Sequence, residues 1–233
     1  MSEEYKDIES FVERLNGCGV PYLVLRNYEN MLSPGIFVDG HEDLDLLASD
    51  SWELANAIGA KPYTNKVREI CGDGTHFYVV IGGRQISLDI RHTGDGYYCT
   101  EWERDMLERR IVKNGISVMN DEDYFYSYIH HTILQKRRFT GEAKGRLCEM
   151  AGRLGIALSD AEPKTFIGLL EKYMRSFGYR YTYPTDTFVP LNSSYIDRKL
   201  IERDWSLAFR HWKFDTKVRI IELLVKIKHL IFR

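Results

Sequence analysis

Acid and leucine alternate in the run Glu42-Asp43-Leu44-Asp45-Leu46-Leu47, and a third acid, Asp89, closes the run Gln85-Ile86-Ser87-Leu88-Asp89-Ile90. An extended backbone sends successive side chains to opposite faces. A strand here therefore puts Asp43 and Asp45 on one face and Leu44 and Leu46 on the other. Two carboxylates one pleat apart, met by a third from another strand, offer only hard oxygen donors, the set that Mg²⁺ takes. Such an ion bridges protein acids to phosphate oxygens, so the pattern points to phosphate chemistry. Solvated acids on an edge strand are the plain alternative. Against it, Leu46-Leu47-Ala48 carries the first strand into a core, and three like charges held together need a cation to neutralise them.

The elements that must position these acids are legible in outline. Apolar residues at Ile8, Phe11, Val12 and Leu15 recur at helical spacing within 3–17, before Gly17 and Gly19. The stretch Val20–Arg26 suits a buried strand, and residues 42–48 form the acidic strand. A helix is predicted over 51–58, capped by Ser49 or Asp50. Gly82-Gly83 joins strands over 76–81 and 84–90 into a hairpin. From Asp121 the texture becomes helical: 121–134, 142–154 and 163–177, an irregular connector over 178–195, then helices over 196–212 and 215–232. The expected fold class is α+β, a small mixed β-sheet core with flanking helices (1–118) followed by a helical C-terminal half (119–233).

Strand Tyr22–Arg26, connector, Asp-Leu-Asp strand and a hairpin ending in Asp89 together resemble the nucleotidyltransferase fold of the DNA polymerase β superfamily. More closely, Leu25-Arg26-Asn27-Tyr28-Glu29-Asn30 with Glu42–Leu47 is similar to nucleotidyltransferase-like proteins associated with bacterial surface-polysaccharide synthesis. The segment Tyr128–Lys136 looks like their helical His-x-x-x-x-Lys region. The resemblance covers roughly residues 18–155. It implies a Mg²⁺-dependent nucleotidyl- or phosphotransferase acting on a sugar or related hydroxyl, with Asp43, Asp45 and Asp89 as metal ligands and catalytic residues.

One departure matters. Where the family carries a Gly-Ser or Gly-Gly pair after the first strand, to hold a triphosphate, this chain has Arg26-Asn27. An arginine there can grip phosphate through its planar fork. Arg26, Asn27, Arg91, His131 and Lys136 are the expected phosphate or substrate contacts. His130 and His131 point in directions about 100° apart on a helix, so one can pack in the core while the other faces the acids. Losing the glycine pair also suits a second reading, a catalytically inactive module of this fold that binds a partner protein or ligand. A toxin–antitoxin component is a third, against which the long helical half counts.

Whole-chain features narrow the classes. A net charge of −2 over 233 residues argues against general nucleic-acid binding. Four scattered cysteines (Cys18, Cys71, Cys99, Cys148) form no C-x-x-C pair and suggest neither zinc nor a disulfide framework. The polar start Met-Ser-Glu-Glu-Tyr-Lys-Asp is unlike a signal peptide, and no apolar run approaches the length of a membrane span. The expectation is a cytoplasmic protein whose substrate is a nucleotide or phosphorylated small molecule. The last segment, 216–233, is basic and amphipathic. It suits a closing helix, or peripheral contact with the inner face of an anionic membrane.

Overall fold

The structure, a computed structural model, describes residues 4–32, 43–63, 76–136 and 139–231, with Asn30 and 221–231 described for backbone alone. Pro34-Gly35 and Asp39-Gly40 of the connector, and Gly72-Asp73-Gly74, where the sequence suggests turns, lie outside these residues. The fold class is α+β, as the alternating and helical patterns require.

Among the described residues, eight strands form one mixed sheet: β1 (Glu4–Tyr5), β2 (Tyr22–Val24), β3 (Asp43–Ala48), β4 (Lys61–Tyr63), β5 (His76–Ile81), β6 (Arg84–His92), β7 (Ile111–Lys113) and β8 (Ile116–Val118). Their order is β1-β5-β6-β3-β2-β8-β7, with β4 flanking β5. β3 is central, parallel to β6 and antiparallel to β2. Its alternation holds: Leu44 and Leu46 are buried while Asp43 and Asp45 face the other way. Gly82 and Gly83 both adopt positive φ at the β5–β6 turn, the backbone a tight two-residue hairpin demands.

Helix α1 (Ile8–Gly17) starts where Asp7 and Ser10 form a reciprocal capping box, and it buries Ile8, Phe11, Val12 and Leu15. Asp50, one of the two expected caps, accepts from the Glu53 amide to begin α2 (Ser51–Ala57). Helix α3 (Thr100–Glu108) and the β7–β8 hairpin add to the elements expected from the sequence. Asn114-Gly115 sits at that turn with positive φ at both residues, and such a dipeptide is itself a strong hairpin signal. β8 then adds parallel to β2 and widens the sheet.

The helical half comprises α4 (Asp121–Ile129), which continues as a π-helical stretch over His130–Gln135, then α5 (Gly141–Arg153), α6 (Pro163–Phe177) and α7 (Trp205–Ile231). Asp123 fastens it to the sheet half. This buried carboxylate accepts from Trp102 Nε1 (3.0 Å), Arg109 Nη2 (2.9 Å) and Tyr173 Oη (2.6 Å), residues of α3, the turn after it, and α6. One hydrophobic cluster runs through both halves, from Phe11 and Leu46 to Phe166 and Tyr181.

The two closing helices expected over 196–212 and 215–232 are corrected to one. Residues 198–200 make only a short 3₁₀ turn, and α7 runs unbroken from Trp205. No Gly or Pro lies between 205 and 231 to stop it. Thr216 returns its hydroxyl to the Trp212 carbonyl (2.8 Å), the behaviour of a helix-interior threonine.

Candidate functional site

The β3–β6 register assembles the three acids. Asp45 lies opposite Asp89 and Asp43 opposite Ser87, while the buried Leu44 and Leu88 pair on the other side. Residues in register on neighbouring strands point the same way, so all three carboxylates project from one face of the sheet. Asp43 begins its strand and is exposed, with no partner among the described residues.

The carboxylates are not left to repel. Arg26 holds Asp45 through two contacts, Nη2 to Oδ1 at 2.7 Å and Nε to Oδ2 at 3.2 Å. Arg91, two residues beyond Asp89 and so on the same face, reaches Asp89 Oδ2 at 2.8 Å. Its other amino group reaches Asp186 at 3.3 Å. His76 Nδ1 approaches Asp89 from the hairpin at 3.8 Å. Burial is the largest single influence and pushes the Asp45 carboxyl up, but the Arg26 charge, its hydrogen bond and the Arg91 charge together leave the group below its ordinary value. The neutralising charge expected from a metal is here supplied by guanidinium. Among the described residues, no group of three or more His, Cys, Asp or Glu side chains is disposed as it stands to hold a metal ion.

Local backbone explains how Arg26 arrives there. The Leu25 amide continues the β2–β3 pairing to the Asp45 carbonyl (2.9 Å), and the next residue, Arg26, lies beside that acid. Asn27 then takes a left-handed conformation (φ 59°) and turns the chain into the 3₁₀ turn Tyr28–Asn30. Asparagine tolerates this region better than most residues, so it serves where a glycine would otherwise be needed. The Asn27 side chain is exposed and caps nothing.

Tyr97, which the sequence did not single out, ties the two arginines together. Its hydroxyl accepts from Arg26 Nη1 (3.0 Å), and the Arg91 guanidinium lies 4.8 Å from its ring centroid. Asp95 positions it by accepting from the Tyr97 amide (2.8 Å) and the His92 amide (3.2 Å). Beneath this turn, the fully buried Glu103 accepts from the Gly94 and Tyr98 amides (2.7 and 2.9 Å). Burial, with Asp95 beside it, pushes the Glu103 carboxyl up to about 8.

The two histidines part company, as their helical directions require. His130 is buried against Tyr98, Trp102 and Tyr181, and its Nδ1 has no partner among the described residues. Burial lowers its pKa to about 3. His131 faces the site, with Nδ1 3.3 Å from the Tyr97 hydroxyl and 3.1 Å from Gln135 Oε1. Gln135 donates from Nε2 to the Tyr97 carbonyl (3.3 Å), which turns Oε1 toward the histidine. With the amide in this orientation, Nδ1 carries the proton and Nε2 keeps its lone pair. Burial and then the Arg26 charge lower the His131 pKa to about 3, so the ring is neutral and brings no positive charge to a phosphate. Lys136 ends the π-helical stretch, exposed, its amide on the His131 carbonyl (2.8 Å) and its side chain in none of these contacts. The following Arg137 and Arg138 lie outside the described residues.

Register and pairing thus bring Asp45, Asp89, Arg26, Arg91 and His131 together, set Asp43 on the same face, and leave Asn27 and Lys136 outside these contacts. Tyr97 and Asp186 join them without any sequence signal. No protein-family model, curated protein or solved structure matches the chain.

Proposed function

We propose that this chain transfers a phosphorus-containing group, as a nucleotidyl- or phosphotransferase that uses Mg²⁺ and a hydroxyl acceptor such as a sugar. The observation that carries the reading is the β3–β6 register, which sets Asp45 opposite Asp89 with Asp43 on the same face. The donor chemistry fits a hard divalent cation: three carboxylates and no thiolate. Asp43, Asp45 and Asp89 are the residues that would hold it. When bound, Mg²⁺ supplies charge for the phosphate oxygens and for the developing leaving group.

The chain's own residues account for the remainder. Arg26 and Arg91 sit on the carboxylates with planar forks equally suited to phosphate, so they move from one anion to the other as substrate enters. Tyr97 holds the pair in place through the exchange. Asp89 accepts the acceptor's proton as the new P–O bond forms and the bond to the leaving phosphate breaks. A nucleotide or phosphorylated small molecule is the substrate class, in the cytoplasm. The resemblance adds surface-polysaccharide synthesis as the setting.

One observation favours a second reading, a non-catalytic binding module. Asp45 and Asp89 are already satisfied by arginine, and Arg26-Asn27 replaces the glycine pair. Calorimetry with Mg²⁺ and a panel of nucleoside triphosphates tests the choice. Metal-dependent nucleotide binding that Asp43→Asn abolishes supports the transferase. Absence of any metal or nucleotide binding leaves the module.

A further inference from the structure

Helix α7 has two apolar faces rather than one. Its inner face packs on the connector: His211 Nε2 donates to the Pro184 carbonyl (2.6 Å), and Phe214 meets Phe188 edge-on at 4.9 Å. The outer face carries Trp205, Phe209 and Trp212, spaced i, i+4, i+7, which are 79%, 60% and 62% exposed. Phe209 and Trp212 stack on each other with centroids 5.6 Å apart and nothing over them among the described residues. Single exposed apolar residues are ordinary, but a stripe of three large aromatics on one helix is an interaction surface.

The charge around the stripe identifies what covers it. An open cleft of about 350 Å³ is lined by Arg180, Arg198, Lys199 and Arg203, with Glu202 the one acid among them. A second cleft shares Arg198, Arg203 and Glu202 and is walled by Asp204 and Trp205, so the Arg198–Arg203 pair adjoins the first aromatic of the stripe. From residue 198 onward the chain carries ten Lys and Arg against four Asp and Glu, although the whole protein is net −2. The positive charge is therefore gathered at this end.

We propose that the outer face of α7, with the adjoining Arg198–Lys199–Arg203 cluster, docks the protein on an anionic lipid bilayer. Tryptophan and phenylalanine settle at headgroup depth, where an amphipathic helix lies in the plane of the interface. The flanking cations meet anionic headgroups there. No described helix is long and apolar enough to cross a membrane, so the contact is with the surface. The proposal is independent of the carboxylate site.

Co-sedimentation of the full chain with vesicles of phosphatidylcholine and phosphatidylglycerol (about 7:3), against pure phosphatidylcholine, tests it. The chain should sediment with the anionic vesicles only and be released by high salt. Trp205→Ala/Phe209→Ala/Trp212→Ala should cut partitioning at least about tenfold. Arg198→Glu/Lys199→Glu/Arg203→Glu should abolish the preference for anionic lipid. All six side chains are on the surface, and circular dichroism checks that both variants fold. The proposal is overturned by absence of sedimentation with anionic vesicles, or by equal binding of the aromatic variant. A dimer in analytical ultracentrifugation that the aromatic variant converts to monomer, without vesicle binding, assigns the stripe to a second copy. Binding of inorganic pyrophosphate by the cluster, again without vesicle binding, assigns the cations to a soluble anion.

Discussion

Asp45 stands directly opposite Asp89 across the parallel β3–β6 pair, yet each carboxylate is held by a different arginine, Arg26 for one and Arg91 for the other. The two acids are thus positioned as a pair and neutralised separately. This arrangement makes the three acids unequal as mutational targets.

Asp43→Asn is the clean probe of the proposed metal role. The side chain is exposed and has no partner among the described residues, so stability should change by less than about 0.5 kcal/mol. Metal-dependent nucleotide binding and turnover should nevertheless be lost. Asp45→Ala should behave differently, because it strands a mostly buried Arg26 and should cost roughly 2–4 kcal/mol in urea unfolding. Wild-type turnover in the folded Asp43 variant would exclude that residue from catalysis.

Tyr97→Phe keeps the ring under Arg91 and removes the hydroxyl that accepts from Arg26. Stability should fall by about 1 kcal/mol, the scale of one buried hydrogen bond. If the tyrosine positions Arg26 for phosphate, the Kd for the nucleotide should rise as well. Unaltered affinity in the folded variant would make its role structural.

Gly96→Ala tests the seam between the Gly94–Tyr97 turn and the C-terminal connector. Gly96 has φ 74°, and an added Cβ would come within 2.6 Å of the Tyr183 carbonyl oxygen. Strain and clash together should cost at least about 2 kcal/mol. Thermal unfolding should show the loss, and Gly83→Ala, at φ 75° but in open space, should show the smaller cost of strain alone.

Glu103 gives the fold a pH dependence. Its folded pKa is raised to about 8 by burial and by Asp95, from an ordinary value near 4.5. Between these values the folded state binds more protons than the unfolded one, so this contribution is whole below about 4.5 and is lost as pH rises through 8. The melting temperature should decline from pH 5 to pH 9. Glu103→Gln leaves one of the two amide donors facing an NH₂ group, so it should lower stability throughout while flattening that slope.

Asp123→Ala should be among the most damaging single changes, at roughly 3–5 kcal/mol, since it strands the Trp102 and Tyr173 donors between the two halves and leaves Arg109 only its longer ion pair with Asp105. Chemical denaturation reads this directly. A loss under about 1 kcal/mol would mean that water replaces the carboxylate.

Much of the scaffold was legible because it rests on local rules. Period-two alternation at 43–46 and period-three-and-a-half spacing in α1 follow from backbone geometry alone, and Gly82-Gly83 announces its turn. Asn114-Gly115 is an equally local signal, while β1 and β4, short and at the sheet edge, carry almost none. Sequence also sufficed to separate His130 from His131, since adjacent helical residues point different ways. It did not say which would face the acids, nor that burial leaves both neutral.

The chain order alone determined that Asp43 and Asp45 share a face and that a third acid lies on another strand, which the structure extends past it to His92. Only the tertiary structure decided that Asp89 falls opposite Asp45, that arginines occupy both, and that Tyr97 and Asp186 complete the cluster. The physical reason is range. Arg26 meets Tyr97 across 71 residues and Arg91 meets Asp186 across 95, and no local periodicity encodes a partner at such separations.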